Sequence, residues 1–177
     1  MRILAISGSL RAVSSNTELL RAAALLAPTG VEVELYAGLG DLPHFNPDVE
    51  DADLPAVADL RARVAAADGL LICSPEYAHG VPGSLKNMLD WLVGGSEFWN
   101  KPVALFNASP GSIHAQAQLA ETIRTMAGRL VDDAILAVPL RGRELDAAAI
   151  AADPALAEPI RAALAAFAAA IAATPPD

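Results

Sequence analysis

Five short apolar runs, each separated from the next by a stretch of helical periodicity, constrain this chain more than anything else in it. The runs are Ile3 to Ile6, Val31 to Tyr36, Gly69 to Ser74, Pro102 to Ala108, and Ala134 to Leu140. Most lack the polar alternation of a strand with one wet face, and they are rich in Val, Ile and Leu. That is how strands read when helices cover both faces of a parallel sheet. Between them, Leu19, Ala23 and Leu26 share one helical face, as do Val57, Leu60 and Val64. Leu85, Met88, Leu89 and Leu92 mark a third helix, and Leu119, Ile123 and Met126 a fourth. A last helix repeats apolar residues at 156, 160, 164, 167 and 171, with Pro154 in its first turn.

Strand and helix alternate five times, which specifies an α/β doubly wound open sheet with right-handed crossovers. Five parallel strands fit the order 2-1-3-4-5 better than the six-stranded dinucleotide fold. A chain of 177 residues suits one such domain over 1–177, with no linker or repeat. The longest irregular piece, Ala37 to Leu54, carries Leu42-Pro43-His44-Phe45-Asn46-Pro47-Asp48, and a loop of that length is usually functional or interfacial. The closing Thr174-Pro175-Pro176-Asp177 reads as a terminator.

Composition narrows the partners. A net charge of −9 disfavours binding to nucleic acid through phosphate neutralisation. Cys73 is the single cysteine, so neither an internal disulfide nor a thiolate-rich zinc site can form. The N-terminus does not resemble a signal peptide, and the apolar stretch Ala162 to Ala173 is too short to span a bilayer. The expectation is a soluble cytoplasmic protein without membrane partners.

In open α/β sheets the ligand lies beyond the carboxyl ends of the strands, where strand order reverses. For order 2-1-3-4-5 the first and third strands flank that point. Its loops are Ile6 to Thr17 (loop one) and Pro75 to Gly83 (loop two), with Ser109 to Ile113 (loop three) adjacent. Loop one gathers Ser9, Arg11, Ser14, Ser15 and Asn16 around a helix start, whose unpaired N–H groups and partial positive charge suit a phosphate. Arg11 adds a forked cation. Ser14 or Asn16 acting as a simple helix cap is the plain alternative, compatible with the first. The loop lacks the Gly-Lys-Ser/Thr of a triphosphate loop and the further glycines of a dinucleotide fingerprint.

Loop two, Ser74-Pro75-Glu76-Tyr77-Ala78-His79-Gly80-Val81-Pro82-Gly83, offers Tyr77 as a surface on which a planar ligand could stack. A half-buried anchor is the plain reading of Tyr77, and a surface pair that of Lys86 and Asp90. No catalytic nucleophile emerges. Ser9 has no identifiable His-Asp partners, the end of an apolar strand suits a buried inert thiol at Cys73, and His44, His79 and His114 lack metal-ligand spacing.

Gly8-Ser9-Leu10-Arg11 with Ser14 and Asn16 resembles the first motif of the NAD(P)H-dependent FMN reductase family, a flavodoxin-like group that includes bacterial quinone, chromate and azo-dye reductases. Pro75-Glu76-Tyr77, Gly80-Val81-Pro82-Gly83, Leu85-Lys86-Asn87 and Asp90-Trp91 are similar to its second motif, and Leu42-Pro43 through Asn46-Pro47-Asp48 to a weaker one. The resemblance implies a flavodoxin-like three-layer fold and noncovalent FMN, with its phosphate on loop one and its ring against Pro75, Glu76, Tyr77, Ala78 and Gly80. Ser109 and Gly111 would approach the ring's pyrimidine edge. NADPH or NADH would donate hydride, and a quinone, azo compound, metal oxyanion or free flavin would accept electrons. A homodimer or homotetramer is implied too, and Phe98-Trp99 are apolar candidates for its interface. Loop three departs from the family: Ser112-Ile113-His114-Ala115 stands where members often carry a glycine pair, and His114 is read as opening the next helix. A flavodoxin-like electron carrier, or a flavin-dependent sensor that binds a partner, is the alternative to an enzyme.

Overall fold

The computed structural model of the chain describes residues 1–49 and 53–173. The expected terminator at 174–177, and residues 50–52 of the Ala37–Leu54 piece, lie outside the described residues. The strands are β1 (Arg2–Ser7), β2 (Glu32–Leu35), β3 (Gly69–Cys73), β4 (Pro102–Asn107), β5 (Arg129–Leu130) and β6 (Leu136–Ala137). The helices are α1 (Ser15–Leu25), α2 (Pro55–Ala66), α3 (Gly83–Val93), α4 (Ile113–Thr125), α5 (Ala147–Ala152) and α6 (Pro154–Ala172). These six strands pair in parallel, and the order is β2-β1-β3-β4-β5 as expected, with β6 also paired to β4.

The central strands alternate beneath their uniform apolarity. Ile3, Ala5, Leu71, Cys73, Ala104 and Phe106 join the core under α1, α5 and α6. Leu4, Ile6, Leu70, Ile72, Val103 and Leu105 join the core under α2, α3 and α4. Both faces are dry, so each fully buried Leu, Ile or Phe contributes about 1.5–3 kcal/mol. At the edge, β2 is only half-buried and exposes Glu32 and Glu34.

The fifth position of the sheet departs from the single strand expected at Ala134 to Leu140. Arg129–Leu130 pairs with the start of β4 and Leu136–Ala137 with its end. Between them Asp132–Ala134 makes a 3-10 turn. Asp132 and Asp133 are exposed there, and a carboxylate taken into the covered sheet without a partner would be expensive.

Two further differences concern the C-terminal region. A short helix, α5, precedes the expected one, with the Asp146 side chain accepting from Ala149 N at 2.8 Å. Glu18 of α1 ties it down by accepting from Ala147 N at 2.9 Å. Helix α6 spans Pro154–Ala172, as its apolar repeat predicts, and is longer than the apolar stretch Ala162 to Ala173 alone. Its 19 residues suffice by length and composition to cross a membrane, yet Leu156, Ile160, Leu164, Phe167 and Ile171 are buried in the core. Asp153 caps it through Ala155 N, with Pro154 in the first turn.

Candidate functional site

The switch point is built by close approach of loops one and two. Ser7 and Cys73 are register partners, and Gly8 N donates to the Cys73 carbonyl at 2.8 Å. A Cβ on Gly8 would lie 3.0 Å from Leu85 Cδ2, 3.0 Å from Ser74 Oγ and 3.3 Å from Ser74 Cα. Glycine is required here by proximity.

Loop one holds itself together through hydroxyls. Ser7 Oγ and Thr17 Oγ1 are 2.8 Å apart, Ser9 N donates to Ser7 Oγ at 3.3 Å, and Arg11 N donates to Ser9 Oγ at 3.4 Å. Ser14 is the N-cap of α1; its hydroxyl accepts from Thr17 N at a long 3.5 Å. Capping therefore occurs, but it occupies one residue of the cluster. Among the described residues, no acceptor meets the backbone N–H groups of residues 12–16. Ser9 and Ser14 are buried, Ser15 and Asn16 half-buried, and Arg11 exposed. This is a cradle of open donors at the positive end of a helix, which is anion-binding chemistry.

In loop two, Tyr77 and Gly80 form an antiparallel bridge (N–O distances 3.1 and 2.9 Å) around Ala78 at φ 49° and His79 at φ 60°. Two consecutive left-handed residues other than glycine are costly, about 1–3 kcal/mol each, and persist only where the surroundings impose them. Here α4 imposes them. Glu76 Oε2 accepts from Ala115 N at 2.9 Å, Gln118 Oε1 accepts from Val81 N at 2.8 Å, and the His79 ring stacks on His114 with centroids 4.1 Å apart. Pro75 and Gly80 are half-buried, and Ala78 is exposed. Tyr77 is 54% exposed, well beyond a half-buried anchor.

Loop three is organised by Asn107, buried at the end of β4. Its Oδ1 accepts from Ser109 N at 2.7 Å and its Nδ2 donates to the Ser112 carbonyl at 3.3 Å. Ser109 is half-buried and Gly111 exposed, with open space where a Cβ would stand. The three loops thus converge at the carboxyl end of the sheet as a shallow platform, and Leu10, Val13 and Ile113 add exposed apolar side chains around it. Beside it a cleft of about 180 Å3 is lined by Leu10, Leu39, His44, Ser84 and Asn87. A larger cavity of about 280 Å3, lined by Arg2, Glu34 and Arg63, lies at the opposite end of the strands and shares nothing with the loops.

Several residues have duties that periodicity and motif did not show. His114 opens α4 as expected but also braces loop two. Asn87 clamps the Leu42–Phe45 segment, accepting from Phe45 N at 2.7 Å and donating to the Pro43 carbonyl at 2.9 Å; Trp91 Nε1 donates to the same carbonyl at 2.8 Å. Lys86 and Asp90 form the expected surface pair. Phe98 is buried in the core, which leaves Trp99, 62% exposed, as the apolar group at that corner. The Cys73 thiol is fully buried, and desolvation pushes its pKa far up, so it is held protonated. Among the described residues no cluster of three or more His, Cys, Asp or Glu could hold a metal ion. Gln118 carries no signal beyond its i+4 spacing from His114. Asn107 carries one, as the sole polar residue of Pro102 to Ala108.

A family model described as NADPH-dependent FMN reductase matches residues 1–141. The chain is 40% identical over 129 residues to an NAD(P)H-dependent FMN reductase of Pseudomonas aeruginosa, covering 70% of this chain and 69% of that one. It is 41% identical over 117 residues to a 2-hydroxy-1,4-benzoquinone reductase of a Burkholderia species, covering 64% of this chain and 63% of that one; the match therefore spans less than two thirds of the latter's length. Among solved structures, FerB of Paracoccus denitrificans, described as a flavoenzyme NAD(P)H:(acceptor) oxidoreductase, superposes with a TM-score of 0.81 at 29% identity over 97% of both chains.

Proposed function

The chain belongs to the NADPH-dependent FMN reductase family, and from that premise we propose that it is an FMN-dependent oxidoreductase that oxidises NADPH or NADH and reduces a small planar acceptor. The observation that carries this reading is the open cradle of N–H donors at residues 12–16, flanked by Ser9, Ser14 and Asn16. Its donor chemistry fits a phosphate monoester, and the shallow platform beside it fits a flat ring.

Bound FMN would supply the redox chemistry, taking up a hydride equivalent and passing on electrons. The chain's own residues bind and orient. Ser9, Ser14, Ser15 and Asn16 hold the phosphate with hydroxyl, amide and backbone donors, and Arg11 at the rim adds positive charge. Pro75, Tyr77, Ala78 and Gly80 support the ring, and among the described residues no acceptor meets the N–H groups of Ala78 and His79 in the tight turn. Glu76 acts indirectly: its carboxylate is committed to α4, so it fixes the turn. Ser109 and Gly111 border the ring's far edge. The exposed outer side of the platform leaves room for nicotinamide and acceptor in alternation.

A quinone is the favoured acceptor, in keeping with the Burkholderia relative's name; an azo compound, metal oxyanion or free flavin fits the same open face. The same reading has the chain act as one unit over 1–177, in the cytoplasm, as a homodimer or homotetramer with Trp99 near a subunit contact.

The test is spectral and kinetic. Purified protein titrated with FMN is expected to show flavin bands near about 370 and 450 nm, tuned by the protein, and to consume NAD(P)H when benzoquinone is added. Protein that binds no FMN would refute the proposal. FMN binding without turnover would make it an electron carrier or a flavin-dependent sensor instead.

A further inference from the structure

Cys73 closes β3 directly beneath loop one, and its sulfur lies 3.2 Å from Asn16 Oδ1. Burial raises the pKa of this thiol, so it carries its hydrogen. In the contact with Asn16 Oδ1 the thiol is the donor, since a carbonyl oxygen only accepts. An asparagine amide has two nearly isosteric orientations, and a donor chooses between them by demanding the oxygen. Asn16 is the second residue of α1, and its Nδ2 has no hydrogen-bond partner among the described residues.

The geometry points to Cys73 as a positioning residue for the anion cradle: its S–H···Oδ1 hydrogen bond turns the Asn16 amide so that the NH2 group is presented to the FMN phosphate. This rests on the FMN reading above. Cys73 itself touches no ligand and undergoes no chemistry; it selects which end of a neighbour does.

The experiment compares Cys73→Ala, Cys73→Ser and the parent for FMN and for riboflavin, which lacks the phosphate, by fluorescence quenching. Cys73→Ala is expected to weaken FMN binding about fivefold, the size of one ordinary hydrogen bond, and to leave riboflavin binding unchanged. Cys73→Ser, which keeps a donor, recovers most of the loss. Equal losses for FMN and riboflavin, or no loss for either, overturn the inference. A second arm needs neither flavin nor a Cys73 variant: the infrared S–H stretch of the parent is expected lower than that of Asn16→Ala. An S–H band indifferent to Asn16→Ala overturns the inference even if Cys73→Ala does not fold. A parent that binds no FMN would refute the functional reading, while this band would still decide whether the thiol orients the amide.

Discussion

Replacing Gly8 with alanine tests whether loops one and two are pressed together as tightly as the site requires. The added methyl would meet Leu85 Cδ2 and Ser74 Oγ at 3.0 Å and Ser74 Cα at 3.3 Å. Leu85 is fully buried and has nowhere to retreat, Ser74 Oγ is engaged by the Pro75 carbonyl at 2.9 Å, and Ser74 Cα is backbone. Overpacking of this kind costs about 1–3 kcal/mol. It is offset by about 0.4–1 kcal/mol, because alanine lowers the entropy of the unfolded chain. The net expectation is a loss of about 1–2 kcal/mol, or about 2–8 °C in Tm for a chain of this size. Because the strain falls between the two loops, FMN affinity should drop as well, by about tenfold or more if the cradle opens by a few tenths of an ångström. Thermal unfolding without flavin and a fluorescence titration with FMN read the two effects separately. An alanine variant with unchanged or raised Tm and unchanged FMN affinity would show that the loops have slack, and the close-approach argument would fail.

Glu76→Gln keeps an acceptor for Ala115 N but removes a charge from the start of α4, so a loss of about 0.5 kcal/mol is expected. Glu76→Ala removes both and should lose about 1.5 kcal/mol; equal losses in urea unfolding would refute the split. Because burial raises the Cys73 pKa in the folded state, the thiol's contribution to stability is full below the unfolded value of about 8.5. It then falls by up to about 1.4 kcal/mol per pH unit above that value. Stability measured from pH 8 to 10.5 should therefore decline less steeply in Cys73→Ala than in the parent, and parallel curves would contradict this. Asn87→Ala strips Phe45 N of its acceptor while Trp91 still holds the Pro43 carbonyl. A loss of about 1–2 kcal/mol and faster proteolysis around residues 42–49 are expected; unchanged cleavage would mean that Trp91 alone suffices.

The sheet's interior was legible because strands covered on both faces must be apolar throughout, and β1, β3 and β4 satisfy that rule nearly residue for residue. At the edges the rule loosens. Arg129–Leu130 is too short to make a pattern, so the upper half of the fifth position was invisible, while the apolar run that follows it suggested one continuous strand. Helix α5 escaped for a different reason: Ala147–Ala152 is nearly all alanine, with no polar face to set a period. The three site loops could be located because the topology dictates where ligands lie. Their bracing could not, since the partners sit 35 to 39 residues apart in pairs such as His79 with His114 and Glu76 with Ala115.

The broken fifth position has a bearing on solubility. An uninterrupted outer strand offers a row of unpaired amides on which another chain can build. Here that row is cut into two-residue pieces by a turn carrying two exposed carboxylates. A foreign strand docking along this border would find no more than one or two rungs in line before meeting negative charge, so growth of the sheet in that direction is stopped by the chain's own path.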